Sequence, residues 1–190
     1  MRNTMVVLAV ASAALLTSCA DRGPESAPPS SSTTSTFTDA PTQAPQDALP
    51  KQQAPAGDAG VTVTGIRIGR QPGYDRVVYD LGGRGAPGWN VQYADRAVQD
   101  GSGRAIPVAG QSILQVQITG SAYPFDSGVE PYAGPDPATD PNAPGIAGVY
   151  GSAVYEGTTQ SFIGVNADRP PFTVSTLSNP QRLVIDIATP

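Results

Sequence analysis

The chain has 190 residues, 39% hydrophobic and 6% aromatic, with 21 Gly, 20 Pro and a formal charge of −5 at pH 7. That length holds one modest domain beside non-globular sequence, and the Gly and Pro content favours turns and short strands over helices. With no His and with Cys19 as the one cysteine, the mature sequence lacks an imidazole base, a disulfide and the usual zinc ligand sets, so neither a metal nor a cofactor is expected.

Arg2 precedes a short apolar run from Met5 to Leu16, which is followed by Leu16-Thr17-Ser18-Cys19. The run has the flanks of a secretory signal and is too short to span a bilayer, so residues 1–18 are expected to form a signal peptide. Leu-Thr-Ser-Cys resembles a bacterial lipobox. The resemblance implies cleavage before Cys19, a diacylglycerol on its thiol and usually a further acyl group, such as palmitate, on the new amino terminus. Two or more acyl chains anchor stably. The expected location is therefore the extracytoplasmic face of the cell membrane.

Residues 19–60 are rich in Pro, Ser, Thr, Ala and Gln, with Ser30 to Thr36 the least complex part. Such a composition cannot form a core and predicts a disordered tether.

Residues 61–190 carry the folded signal. Val61 to Ile68 alternates and is β-branched, which predicts a strand, and Gly69 to Gly73 turns the chain. Gly82 to Gly88 and Asp100 to Gly103 are further turn signals. Trp89 to Tyr93, Ala105 to Val108, Ile113 to Thr119, Val149 to Tyr155, Ser161 to Val165 and Pro171 to Leu177 predict strands. Gly120 to Ala147 is a long proline-interrupted loop, a length that in a compact domain is functional or disordered. The expected fold is all-β: a small β-sandwich of eight or nine short strands, with a small β-barrel as the alternative.

One pattern occurs twice, as Arg76-Val77-Val78-Tyr79-Asp80-Leu81 and as Arg182-Leu183-Val184-Ile185-Asp186-Ile187. Alternation puts Val77, Tyr79 and Leu81, and likewise Leu183, Ile185 and Ile187, on a core face. Antiparallel pairing in register would set Arg76 against Asp186 and Asp80 against Arg182. On an open face such pairs would do little beyond fixing register, and copies in different sheets would instead mark two equivalent halves of a sandwich; Val78 and Val184 between the charges favour at least one partly covered pair.

Residues 61–190 hold eight Arg against eleven Asp and Glu, with no Lys, which argues against a nucleic-acid groove. Paired carboxylates are the remaining route to catalysis, with Glu130, Glu156, Asp126 and Asp168 as candidates, but their spacing singles out no pair. Asp136, Asp140 and Asn142 do not have the spacing of a calcium loop. Tyr and Trp combine a flat apolar face with a polar tip, which suits stacking on sugars. With Arg as a fork for carboxylates, the candidate ligand-binding residues are Tyr74, Arg76, Trp89, Tyr93, Tyr123 and Tyr132.

Ile66 to Ile68, Gly73 to Leu81, Pro87 to Tyr93 and Pro171 to Val174, with Leu177 to Ile187, form an ordered set that resembles the AMIN-like domain of actinobacterial envelope lipoproteins. That group is similar in turn to the AMIN domain of cell-wall amidases, a small β-sandwich that binds peptidoglycan. The resemblance implies a membrane-anchored, non-catalytic module for peptidoglycan or cell-wall glycan. The alternatives are an interaction scaffold for another envelope protein and, less favoured, a glycan-acting enzyme using carboxylates. These 190 residues depart from the amidases in holding no His for a zinc site, so no amidase activity is expected of them, and the Gly120 to Ala147 loop exceeds a minimal AMIN domain.

Overall fold

The structure, a computed structural model, describes residues 44–189. The expected signal peptide, Cys19 and the expected tether as far as residue 43 lie outside the described residues. Within them the chain forms two antiparallel sheets. The first has β1 (Lys51–Gln53), β4 (Gly88–Ala94), β5 (Ser112–Thr119), β7 (Thr158–Val165) and β6 (Ile146–Tyr155), in the spatial order β1-β4-β5-β7-β6. The second has β2 (Ala56–Gln71), β3 (Tyr74–Ala86), β9 (Arg182–Ala188) and β8 (Phe172–Leu177), in the order β2-β3-β9-β8. A single helical turn, α1, spans Pro124–Ser127. This is the sandwich that the alternating sequence predicts.

Period-two patterning builds the core. Burial alternates along β5, so that Leu114, Val116 and Ile118 point inward at full burial. They meet Val77, Tyr79, Leu81, Leu183, Ile185 and Ile187 from the second sheet in one cluster. Tyr79 is fully buried, which pushes its phenol pKa up. Its hydroxyl lies 3.0 Å from Ser161 Oγ, and Ser161 donates in turn to the Tyr150 carbonyl. That chain of bonds stitches the two sheets together through the core and satisfies the phenol there.

The repeated patterns are neighbours. β3 and β9 pair antiparallel with Arg76 opposite Asp186, Val78 opposite Val184 and Asp80 opposite Arg182. Arg76, Val78, Val184 and Asp186 are all buried, so this face is covered as the two valines require. Only the first ion pair forms. Asp80 instead takes both hydrogen bonds from Arg67 on β2, at 2.8 and 2.6 Å, and Arg182 Nε donates to the Pro180 carbonyl. The reason lies across β3: the residue opposite Asp80 on β2 is Gly65, where a Cβ would stand 2.8 Å from Asp80 Oδ2. The space left by the missing side chain turns the carboxylate toward β2.

Several expectations need correction. The folded part begins before Val61, since β1 pairs with β4 and β2 starts at Ala56. The Phe172 amide donates to the Asp47 carbonyl, and Lys51 Nζ sits 4.2 Å from the Phe172 ring centroid. The segment from Asp47 to Lys51 thereby closes the side of the sandwich where β1 and β8 are the edges. Its ladder bonds are made by backbone, which a polar sequence supplies as well as an apolar one. Gly82 to Ala86 continues β3 rather than turning. Gly85, at φ +72, makes this possible, because a Cβ there would stand 2.6 Å from the Ala59 Cα on the facing strand. Ala105 to Val108 is no strand and keeps one bridge, Val98 to Ala105.

The Gly120 to Ala147 loop is packed along the opposite side. Ala138 bridges Val149 at the β6 edge, and the Tyr132 amide donates to the Val63 carbonyl on β2. It covers the two edge strands that would otherwise present open ladders.

Candidate ligand-binding surface

The fold keeps most of the candidate ligand residues for itself. Tyr74, Arg76 and Trp89 are buried, and Arg76 is held by Asp186 and by the Tyr74 hydroxyl. The Tyr93 hydroxyl donates to the Pro170 carbonyl at 2.7 Å, its ring meets Phe172 edge-on, and burial pushes its pKa up. Tyr132 packs against the core and donates to the Pro135 carbonyl. Tyr123 alone of the six presents its ring to solvent.

Tyr123 has company. Its ring stacks on Phe125 with centroids 5.4 Å apart and planes within 4°, and Phe125 is 81% exposed. Tyr155, 43% exposed, belongs to the same end of the molecule. Local structure explains the placement. Val61 exchanges backbone bonds with Gly120 and Ala122, which lays the chain after β5 along β2. Pro124 then opens α1, and Gly128 ends it in the left-handed region. Tyr155 is the last residue of β6, before the Glu156-Gly157 turn into β7. The Ser121 amide donates to the Gly157 carbonyl, so the loop of Tyr123 and the hairpin of Tyr155 are tied together.

A third segment completes the surface. The connection from β4 to β5 crosses the outer face of the first sheet, and its Gly101, at φ +77, lies against the Tyr155 ring, where a Cβ would be 2.7 Å from a ring carbon. Gln160 on β7 fixes that turn by accepting from the Asp100 amide and donating to the Val98 carbonyl. The charge of Glu156 raises the Tyr155 pKa, with Tyr123 and Asp100 adding to it. Asp126 follows Phe125 on α1. The aromatic surface therefore has an acidic rim.

The candidate carboxylates do not converge. Glu156 and Asp126 flank the aromatic end, whereas Asp168 follows the far end of β7. Asp140 accepts from the Asn142 amide and side chain, and Asp136 from the Gly151 amide. Among the described residues no group of three or more Asp, Glu, His or Cys could hold a metal ion. Nor is any helix there long and apolar enough to cross a membrane. The surface offers flat apolar rings and hydrogen-bond acceptors, which suit reversible stacking.

The model of the AMIN-like domain family matches residues 61–189. The chain belongs to the AMIN-like family. No curated protein and no solved structure matches it significantly. In this AMIN-like domain the match covers both copies of the repeated strand pattern and the exposed Tyr123, Phe125 and Tyr155, while β1 and the start of β2 precede it. The candidate set read from the sequence includes Tyr123 but neither Phe125 nor Tyr155. The available signal was their position, one in the proline-led turn of the long loop and one beside a Glu-Gly hairpin.

Proposed function

We propose that this chain is a membrane-anchored, non-catalytic envelope lipoprotein whose AMIN-like domain binds cell-wall glycan. The observation that carries the binding is the exposed set Tyr123, Phe125 and Tyr155, ringed by carboxylates. A sugar ring presents C–H groups on its face and hydroxyls at its edge, so it stacks on an aromatic ring while its hydroxyls donate to Asp100, Asp126 and Glu156. Exposed aromatic clusters of this kind mark binding surfaces. The likeness of AMIN-like domains to the peptidoglycan-binding AMIN domain supports the choice of ligand.

The signal sequence and lipobox support export and acylation of Cys19, and the Pro/Ser/Thr-rich stretch after it serves as the tether. The chain joins the domain at Asp47 to Lys51, on the β1 and β8 side, whereas Tyr155 lies on β6 at the opposite edge of the sheet. A tether attached there leaves the aromatic surface free to face away from the membrane.

Sedimentation of the Cys19→Ser chain with purified peptidoglycan tests the proposal. Retention that falls when Phe125 and Tyr155 are both changed to Ala supports it; a chain that stays wholly in the supernatant at low salt rejects glycan binding. Capture of one envelope protein by crosslinking, without cell-wall retention, would replace it with a scaffold role.

A further inference from the structure

Beside the aromatic surface lies a cleft of about 380 Å³ on the outer face of the first sheet. Its space comes from small residues, since Gly151 and Ala153 on β6 line it where larger side chains would fill it. Arg104 and Gln99 line it from the β4 to β5 connection, and Asp136 lines it from the long loop. The two charges are held without neutralising one another. Arg104 Nε donates to Gln99 Oε1 at 3.2 Å, and Asp136 Oδ1 accepts from the Gly151 amide at 3.0 Å. Among the described residues no ion pair joins Arg104 to Asp136, and both residues are exposed, so the terminal nitrogens of Arg104 and Oδ2 of Asp136 face solvent.

An arginine fork and a carboxylate, set apart and each with bonding capacity to spare, suit a ligand with the opposite charges at the same separation. The position matters as much as the charges. The turn that carries Gln99 and Arg104 also carries Gly101, which packs on Tyr155, so the cleft begins where the aromatic surface ends.

We infer that this cleft is a second subsite for a zwitterionic peptide group, with a carboxylate on Arg104 and an ammonium on Asp136, borne by the same polymer whose sugar stacks on the aromatic residues. This rests on the glycan-binding reading above and divides the ligand between two chemistries. Peptide-bearing cell wall would engage both subsites, and bare glycan only the aromatic one.

The test compares intact peptidoglycan with the same material after removal of its peptides, using the full chain carrying Cys19→Ser and, within it, Arg104→Gln or Asp136→Asn. Both changes keep a side chain of similar size, and in Asp136→Asn the side-chain amide oxygen can still accept from the Gly151 amide. Each variant is expected to bind intact peptidoglycan about ten-fold more weakly than the parent, the strength of one charge-assisted bond, with the difference shrinking at high salt. Binding to peptide-free glycan should be unchanged. Variants that match the parent on intact peptidoglycan would overturn the subsite while leaving glycan binding in place. A parent chain that binds neither material would overturn the glycan reading and, with it, this inference.

Discussion

The Arg76 guanidinium grips the Asp186 carboxylate through two hydrogen bonds, Nε to Oδ1 at 2.6 Å and Nη2 to Oδ2 at 2.9 Å, with both side chains buried between adjacent strands. Removing one member strands the other charge away from water. Asp186→Leu or Arg76→Met alone is expected to cost about 3–5 kcal/mol in denaturant unfolding, whereas the two together should cost less than either. Additive losses in that cycle would mean that the pair is not coupled.

The Arg67 pair with Asp80 has the same two-bond geometry but is partly open, with side chains 39% and 28% exposed. Solvent screening sets its contribution at about 0.2–1 kcal/mol, and Asp80→Asn should be mild and milder still in high salt. Arg182→Ala should leave this coupling intact, since Arg182 takes no part in it.

Asp75 should make stability depend on pH in the direction opposite to most carboxylates. It is buried, its Oδ2 accepts from the Gly145 amide at 2.7 Å, and its Oδ1 has no hydrogen-bond partner among the described residues. Burial pushes its pKa above the ordinary 3.8, although Arg70 directly across on β2 opposes the shift. The folded state thus holds its proton more tightly than the unfolded chain. This group's contribution is most favourable below pH 3.8 and declines as the pH rises through the folded pKa. Asp75→Asn keeps an acceptor for Gly145 and should flatten that decline, measured as the denaturant midpoint across acidic pH. An unchanged slope would show that Asp75 carries no such penalty.

The core and the pairing of β3 with β9 were legible because their signals are local. Alternation marks Val77, Tyr79, Leu81, Leu183, Ile185 and Ile187 as inward-facing, and the charges of the shared pattern are complementary if the two strands pair, as they do. Less legible were features that depend on what lies opposite. Nothing near Asp80 in the sequence says that Gly65 leaves room for it to turn toward Arg67, and β1 is a polar triplet recognisable only by its backbone pairing with β4. Which aromatic residues face solvent is hidden for the same reason. Tyr74 lies with Arg76 on the covered second face of β3 and Trp89 lies in the core cluster, while Phe125 and Tyr155 are held outward by turns whose partners are remote in sequence.

Acylation of Cys19 makes a separate prediction. Cys19→Ala should move the protein from the membrane fraction to the soluble or secreted fraction with its β-domain still folded by circular dichroism. A variant that remains wholly with the membrane would exclude the acyl anchor.

The most direct measurement is an amide chemical-shift map of the Cys19→Ser chain titrated with soluble glycan fragments of cell wall. Saturable shifts centred on Tyr123, Phe125, Gly101 and Tyr155 are expected, and are absent when Phe125 and Tyr155 are both changed to Ala. Shifts centred on β8 and β9 instead, or no shifts at saturating fragment, would contradict glycan binding there.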